Sequence, residues 1–246
     1  LQIKLIRKPL NGSLNMTSTR VLSHNDYTVA WICALPIEMA AAKVMLDEVH
    51  EDLPVSSHDH NAYTLGKIGE HNVVIAGLPN GKYGNTSATV VAMQLLASFD
   101  SIRFGLMVGI GGGVPNNDAD IRLGDIVVSK PTGTYGGVVQ YDYGKALSRS
   151  FERTGMLNQP PSFILTALTQ LQANHLTEES QILKFLSEIE KKLGHKAANF
   201  THPGQEDRLY QTDYDHIGES KTCERCDHMK TVPRAPRKYT EPVTMV

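Results

Sequence analysis

The stretch Gly105-Leu-Met-Val-Gly-Ile-Gly-Gly-Gly-Val114 constrains the fold of this chain more than any other. An apolar run that ends in consecutive glycines predicts a buried strand whose carboxyl end opens into a tight turn. Glycine has no Cβ, so main chain there can pass close to a ligand and present its N–H groups to a bound polar group. In open α/β sheets ligands collect at the carboxyl ends of strands, which is where these glycines fall. A structural turn that needs positive φ accounts for the same residues, so the flanking segments have to decide.

Tyr27-Thr-Val-Ala-Trp-Ile-Cys-Ala-Leu35 is rich in β-forming residues and almost continuously apolar, which predicts a central strand. Pro36 suits the first position of a helix, where no amide donor is needed, and Ile37–Leu46 consists of good helix formers. The expected strand–turn–helix puts Glu38 in the first helical turn, just beyond the strand's carboxyl end. Two roles are open to it: a carboxylate favoured by the helix dipole, or an acid/base or ligand-binding group facing the crevice. Tyr63–Ile68 and His71–Ala76 then flank Gly69-Glu70 as a hairpin. Leu78–Gly84 is a loop carrying Gly81, Lys82 and Gly84, and it feeds a helix capped by Asn85 or Thr86 and running to about Ser98. A glycine-bearing loop at a helix N-terminus makes a modest anion site, but no Gly-Lys-Ser/Thr triplet of the Walker type follows.

Asp125–Ser129 predicts another strand. Pro160-Pro-Ser162 opens a helix through about Asn174, and Thr177 caps a second through about Leu193, whose Ile182, Phe185, Leu186, Ile189 and Leu193 share one face. Gly194 closes it. A polar, proline-bearing insertion is expected at about 197–238, and Glu241–Val246 reads as a strand that simply stops, so the domain is expected to be C-terminally incomplete. Residues 1–26 hold four basic residues and lack the apolar region of a signal peptide; they are expected to be a disordered leader to a domain over 27–246.

Lys+Arg 24 against Asp+Glu 26 argues against nucleic acid or an anionic membrane as the main partner. No apolar run approaches the roughly 20 residues that span a bilayer. The three cysteines make no disulfide framework, which points to a reducing compartment, hence the cytoplasm. Cys223-Glu-Arg-Cys226 lacks a second Cys-x-x-Cys, so a structural zinc would need a mixed set with His216, and His228 is also near. Two free thiols in an exposed loop are the alternative reading; redox chemistry is the weaker one, because no strand precedes the pair. No Gly-x-Gly-x-x-Gly follows the first strand, which argues against a dehydrogenase.

Four segments now stand in order: Trp31-Ile-Cys-Ala-Leu-Pro-Ile-Glu-Met-Ala40, Val108-Gly-Ile-Gly-Gly-Gly-Val-Pro115, Arg122-Leu-Gly-Asp-Ile-Val-Val-Ser129 and Gly136-Gly-Val-Val-Gln-Tyr-Asp142. Together with the Asp-Tyr-x-His and Cys-x-x-Cys of 213–226, they resemble the nucleoside phosphorylase/nucleosidase superfamily. The resemblance is nearest to phosphorylase-type domains that fungi place at the front of proteins carrying ankyrin repeats or NTPase modules. It covers about 27–246 and implies an α/β fold, a three-layer αβα sandwich around a mixed central sheet, usually oligomeric. It also implies cleavage of the N-glycosidic bond of a purine nucleoside, by phosphate in phosphorylases or by water in nucleosidases. Under this resemblance Glu38 holds the attacking water, and Gly81, Lys82 and Gly84 lie near the ribose and phosphate end. Ile110, Gly111 and Gly112 pass the sugar and base. No resident cofactor is implied, and phosphate enters only as a co-substrate.

Met107 and Ile110 stand where hexameric bacterial purine phosphorylases place an Arg and a Ser on the phosphate. A dianion without them loses charge-assisted bonds, so hydrolysis is expected over phosphorolysis unless Lys82 or another base substitutes. The family's acidic ribose-binding segment and the Asp that protonates the leaving purine have no counterpart before Val246. A non-catalytic, nucleoside-sensing module of a larger protein is therefore the alternative, with a phosphate-dependent phosphorylase as the third reading.

Overall fold

In the computed structural model the described residues are 21–116, 119–200, 207–219 and 222–236. They fall into two compact units: the first takes the described residues up to Gly112 and Ser129–Phe200, the second Gly113–Val128 and those after Phe200. Among the described residues no helix is long and apolar enough to cross a membrane.

The first unit is built on β1 (Val29–Cys33), α1 (Pro36–Met45), β2 (Glu48–Val49), β3 (Tyr63–Ile68), β4 (His71–Gly77), α2 (Asn85–Ser98) and β5 (Phe104–Met107). The strands form one mixed sheet in the order β2-β3-β4-β1-β5. β1 runs parallel to both of its neighbours, β4 and β5, while β2–β3 and β3–β4 are antiparallel. The unbroken apolarity of β1 is explained by its place: all five of its residues are buried, because both faces of the sheet are covered. Val29, Trp31 and Cys33 pack with Ala42 and Leu46 at α1. Ala30 and Ile32, on the opposite face, pack with Val91 and Leu95 of α2 and with Phe99. Period-two alternation thus sends one strand into two cores, giving the expected three layers.

The β3–β4 hairpin closes on Ile68↔His71 around Gly69, whose φ of 58° is the left-handed conformation that glycine tolerates best. α2 begins as expected, but its N-cap is Gly84, with no side-chain cap from Asn85 or Thr86. The chain continues through a small hairpin, β6 (Lys145–Ala146) and β7 (Phe151–Glu152), to α3 (Ser162–Thr177) and α4 (Ile182–Leu193). Thr177 ends α3 rather than capping α4: its hydroxyl donates back to Ala173 O at 3.1 Å, so it completes the turn it was expected to leave. The apolar face of α4 is half-buried as expected, and Gly194 terminates it at φ 55°. Lys192 Nζ donates to Val44 O (3.2 Å) and Leu46 O (3.0 Å), capping the carbonyls at the end of α1.

Two expected strands differ. The glycine-ended strand is shorter and less buried than its sequence predicts: β5 stops at Met107, and its residues alternate between half-buried and exposed. The reason is its position, since β1 is its only partner among the described residues. Asp125–Ser129 forms no named strand, only a bridge at Ile126. Asp125 instead folds back on Arg122, accepting from its N–H at 2.8 Å and donating its own N–H to Arg122 O at 3.1 Å, a turn that competes with extended pairing. The strand expected over Glu241–Val246 lies outside the described residues, as does the leader up to residue 20, while His24–Asp26 form a turn of 3-10 helix.

The second unit contains much of the polar stretch expected at 197–238. Cys226 is its one buried apolar residue among those described. Hydrogen bonds hold it instead. Arg234 donates to Asp207 (2.7 Å), to Ile121 O (2.7 Å) and to Asp120, which also accepts from Arg122 at 2.7 Å. Two main-chain bonds, Gln211 N to Lys230 O (2.9 Å) and Val232 N to Leu209 O (2.7 Å), pair the segments around Tyr210 and Thr231.

Candidate active site

β1, β4 and β5 are mutually parallel, so their carboxyl ends meet at one edge of the sheet. Leu78 N donates to Cys33 O (2.9 Å) and Val108 N to Ile32 O (3.1 Å), fastening the loops after β4 and β5 to the end of β1. From this edge α1 leaves over one face and α2 over the other, the end of the sheet where ligands bind in open α/β folds.

Glu38 stands at that edge. It is the third residue of α1, 9% exposed, and each carboxylate oxygen is engaged. Oε2 accepts from the amides of Ala34 and Leu35, both at 2.8 Å, which closes the helix N-terminus. Oε1 accepts from Ile110 N, also at 2.8 Å. One side chain therefore performs the capping role and also ties the first strand's turn to the glycine-rich segment. Burial pushes the carboxyl's pKa up, but the amides of Ile110, Leu35 and Ala34 outweigh it, and the group stays below its ordinary 4.5. It is anionic at neutral pH. Beside it the Cys33 thiol is pushed up to about 11, by burial first and by the Glu38 charge second, so it stays protonated.

The structure explains the glycines differently from a positive-φ turn. None of Gly109, Gly111, Gly112 or Gly113 has positive φ. A Cβ at Gly109 would sit 2.6 Å from Glu38 Oε1, so this glycine makes room for the carboxylate. At Gly111 and Gly112 a Cβ would meet nothing within 4 Å, leaving bare main chain facing open space. Gly109 was missed as a site residue in the sequence; the only signal was its step from Ile110 in the Val-Gly-Ile-Gly run.

The loop after β4 brings Gly81 (φ 77°), Lys82 and Gly84 (φ 96°) to the start of α2, all three exposed. Met107 and Ile110 present exposed side chains, 68% and 74%. In the second unit His216, Cys223 and Cys226 come together, with ligand atoms all within 4.8 Å of one another. His228 does not join them; its Nε2 meets Arg208 at 2.8 Å.

No protein-family model matches the chain. Over 153 residues, 62% of its length, it is 52% identical to a nucleotide-binding leucine-rich repeat (NLR)-like protein of Hyaloscypha variabilis, and it spans only 15% of that protein. Among solved structures it is similar to the 5'-methylthioadenosine/S-adenosyl homocysteine nucleosidase of Helicobacter pylori, at 16% identity and a TM-score of 0.38 over 62% of this chain and 60% of that one. It is also similar to the futalosine hydrolase of Helicobacter pylori, at 17% identity and a TM-score of 0.39 over 63% and 61%. A third is the S-adenosylhomocysteine nucleosidase of Streptococcus pyogenes, at 16% identity and a TM-score of 0.39 over 68% and 70%.

Proposed function

We propose that this chain supplies the nucleoside-binding and water-activating part of a purine nucleosidase. The observation that supports the reading most is the Glu38 carboxylate held against Ile110 N at 2.8 Å, beside open glycine main chain at the sheet's carboxyl edge. Cleavage of an N-glycosidic bond leaves the sugar oxocarbenium-like, and water then attacks from the face opposite the departing base. Three amide donors fix the orientation of Glu38 and keep it charged, while a fourth acceptor position remains for a water proton. Gly111 and Gly112 offer main chain to the sugar and base, and Gly81, Lys82 and Gly84 border the ribose end. Met107 and Ile110 put apolar groups where a phosphate would need donors, which favours water over phosphate. The cytoplasm and a homo-oligomer complete this reading.

A second reading is favoured by the relative, an NLR-like protein of which the chain spans 15%. Here the unit binds a nucleoside without turnover and signals to attached modules, such as ankyrin repeats or an NTPase. Incubation of the protein with adenosine or inosine, with and without phosphate, separates the readings. Free base without phosphate supports hydrolysis, and strict phosphate dependence supports a phosphorylase. A rise in melting temperature without base release supports the sensor.

A further inference from the structure

We propose that His216, Cys223 and Cys226 bind a zinc ion that holds the second unit together. A tetrahedral zinc with bonds of about 2.3 Å to sulfur and about 2.1 Å to nitrogen sets its sulfur and nitrogen ligands about 3.6 Å apart. Cys226 Sγ lies 3.3 Å and Cys223 Sγ 3.8 Å from the same atom, His216 Nδ1. All three ligand atoms fall within 4.8 Å of one another, so small side-chain adjustments close the first three corners of that tetrahedron. The main chain is arranged to match. Cys223–Arg225 form a single 3-10 turn, closed by Cys226 N to Cys223 O at 3.2 Å, which sets both sulfurs on one side of the turn. Asp227 N then donates to Tyr214 OH at 2.6 Å, drawing the segment of His216 alongside.

The second line of argument is energetic. Among its described residues this unit buries one apolar side chain, and that is a cysteine of the triad. A small unit without an apolar core needs a staple, and thiolate and imidazole ligands in this spacing select zinc in a reducing compartment. Among the described residues the cluster supplies three of the four ligands that a tetrahedral zinc takes. The ion's binding free energy is folding free energy for this unit, since the site does not exist in the unfolded chain.

The test uses the whole chain purified without chelator. Elemental analysis is expected to find one zinc per chain, and cobalt exchange to give tetrahedral bands with thiolate charge transfer. Cys223→Ser, Cys226→Ser and His216→Ala should each lose the metal, His216→Cys should keep it, and Cys33→Ser should leave the stoichiometry unchanged. Stripping the zinc should speed proteolysis within 207–236, and its return should reverse that. A chain that neither carries nor takes up zinc or cobalt overturns the proposal. So does a mass lowered by two hydrogens from a Cys223–Cys226 disulfide, or metal retained by the serine variants.

Discussion

Glu38 Oε1 accepts a hydrogen bond from the amide of Ile110 at 2.8 Å, joining positions 72 residues apart through a single carboxylate. The turn after β1 and the segment after β5 are therefore mechanically one object, and substitutions at either end should be felt at the other.

Glu38→Gln tests this at the carboxylate. A glutamine can keep its oxygen on Ala34 and Leu35 but then turns its NH₂ toward Ile110 N, leaving a donor without an acceptor. We expect a loss of about 1–3 kcal/mol in stability, read by denaturant unfolding. Base release, where the protein has it, should fall by roughly 10²–10⁴. Unchanged turnover would remove Glu38 from the chemistry.

Gly109→Ala tests it from the other side. The new methyl would lie 2.6 Å from Oε1 of a carboxylate pinned by three amides, so it must push that group off Ile110. The expected cost is about 1–3 kcal/mol. In a double-mutant cycle with Glu38→Gln the two costs should be clearly less than additive, because both remove the same bond. Simple additivity would mean that the two residues do not interact.

The depressed pKa of Glu38 has a stability consequence of fixed sign. The unfolded carboxyl, near its ordinary 4.5, binds its proton at a higher pH than the folded one. The stabilisation is fully present above that value and is lost as pH falls through the lower, folded pKa. Asp59 and Asp120, also held below their ordinary value, act in the same direction. Glu38→Gln should therefore flatten the acid limb of a stability–pH curve below about pH 4.5 without changing the limb at neutral pH.

Leu95→Ala probes the α2 side of the sheet. Leu95 is 1% exposed and packs with Val91 and Phe99 against Ala30 and Ile32. Its truncation should cost about 2–5 kcal/mol, measured by thermal or denaturant unfolding. A much smaller value would show that the layer can collapse around the void.

What the sequence made legible was local. β1, the Pro36 start of α1, the β3–β4 hairpin and the apolar face of α4 each follow from a pattern confined to a dozen residues. The position of Glu38 was legible too, because the helix start fixes it. Its partner was not, since nothing at Glu38 names an amide 72 residues away. For the same reason Gly109 reads as a turn residue when its real constraint is an oxygen from another element. Thr177 misled because a threonine near a helix boundary can end one helix as readily as start the next, and its hydroxyl chose Ala173 O. Asp125–Ser129 has strand composition but no described neighbouring strand to pair with, and a strand is only as real as its ladder.

The placement of β1 between β4 and β5 also dictates an order of assembly. The β3–β4 hairpin can close on itself, but β1 meets both of its neighbours only across long chain separations, with Val29 opposite Val73 on one side and Phe104 on the other. Such distant pairings are entropically expensive and slow. The most buried strand among the described residues is thus expected to pair after the β3–β4 hairpin has closed, and until residue 107 has been synthesised it has β4 alone to lie against. Pulse-labelled hydrogen exchange should accordingly protect Gly66 and Val73, which face each other across the hairpin, before Ile32.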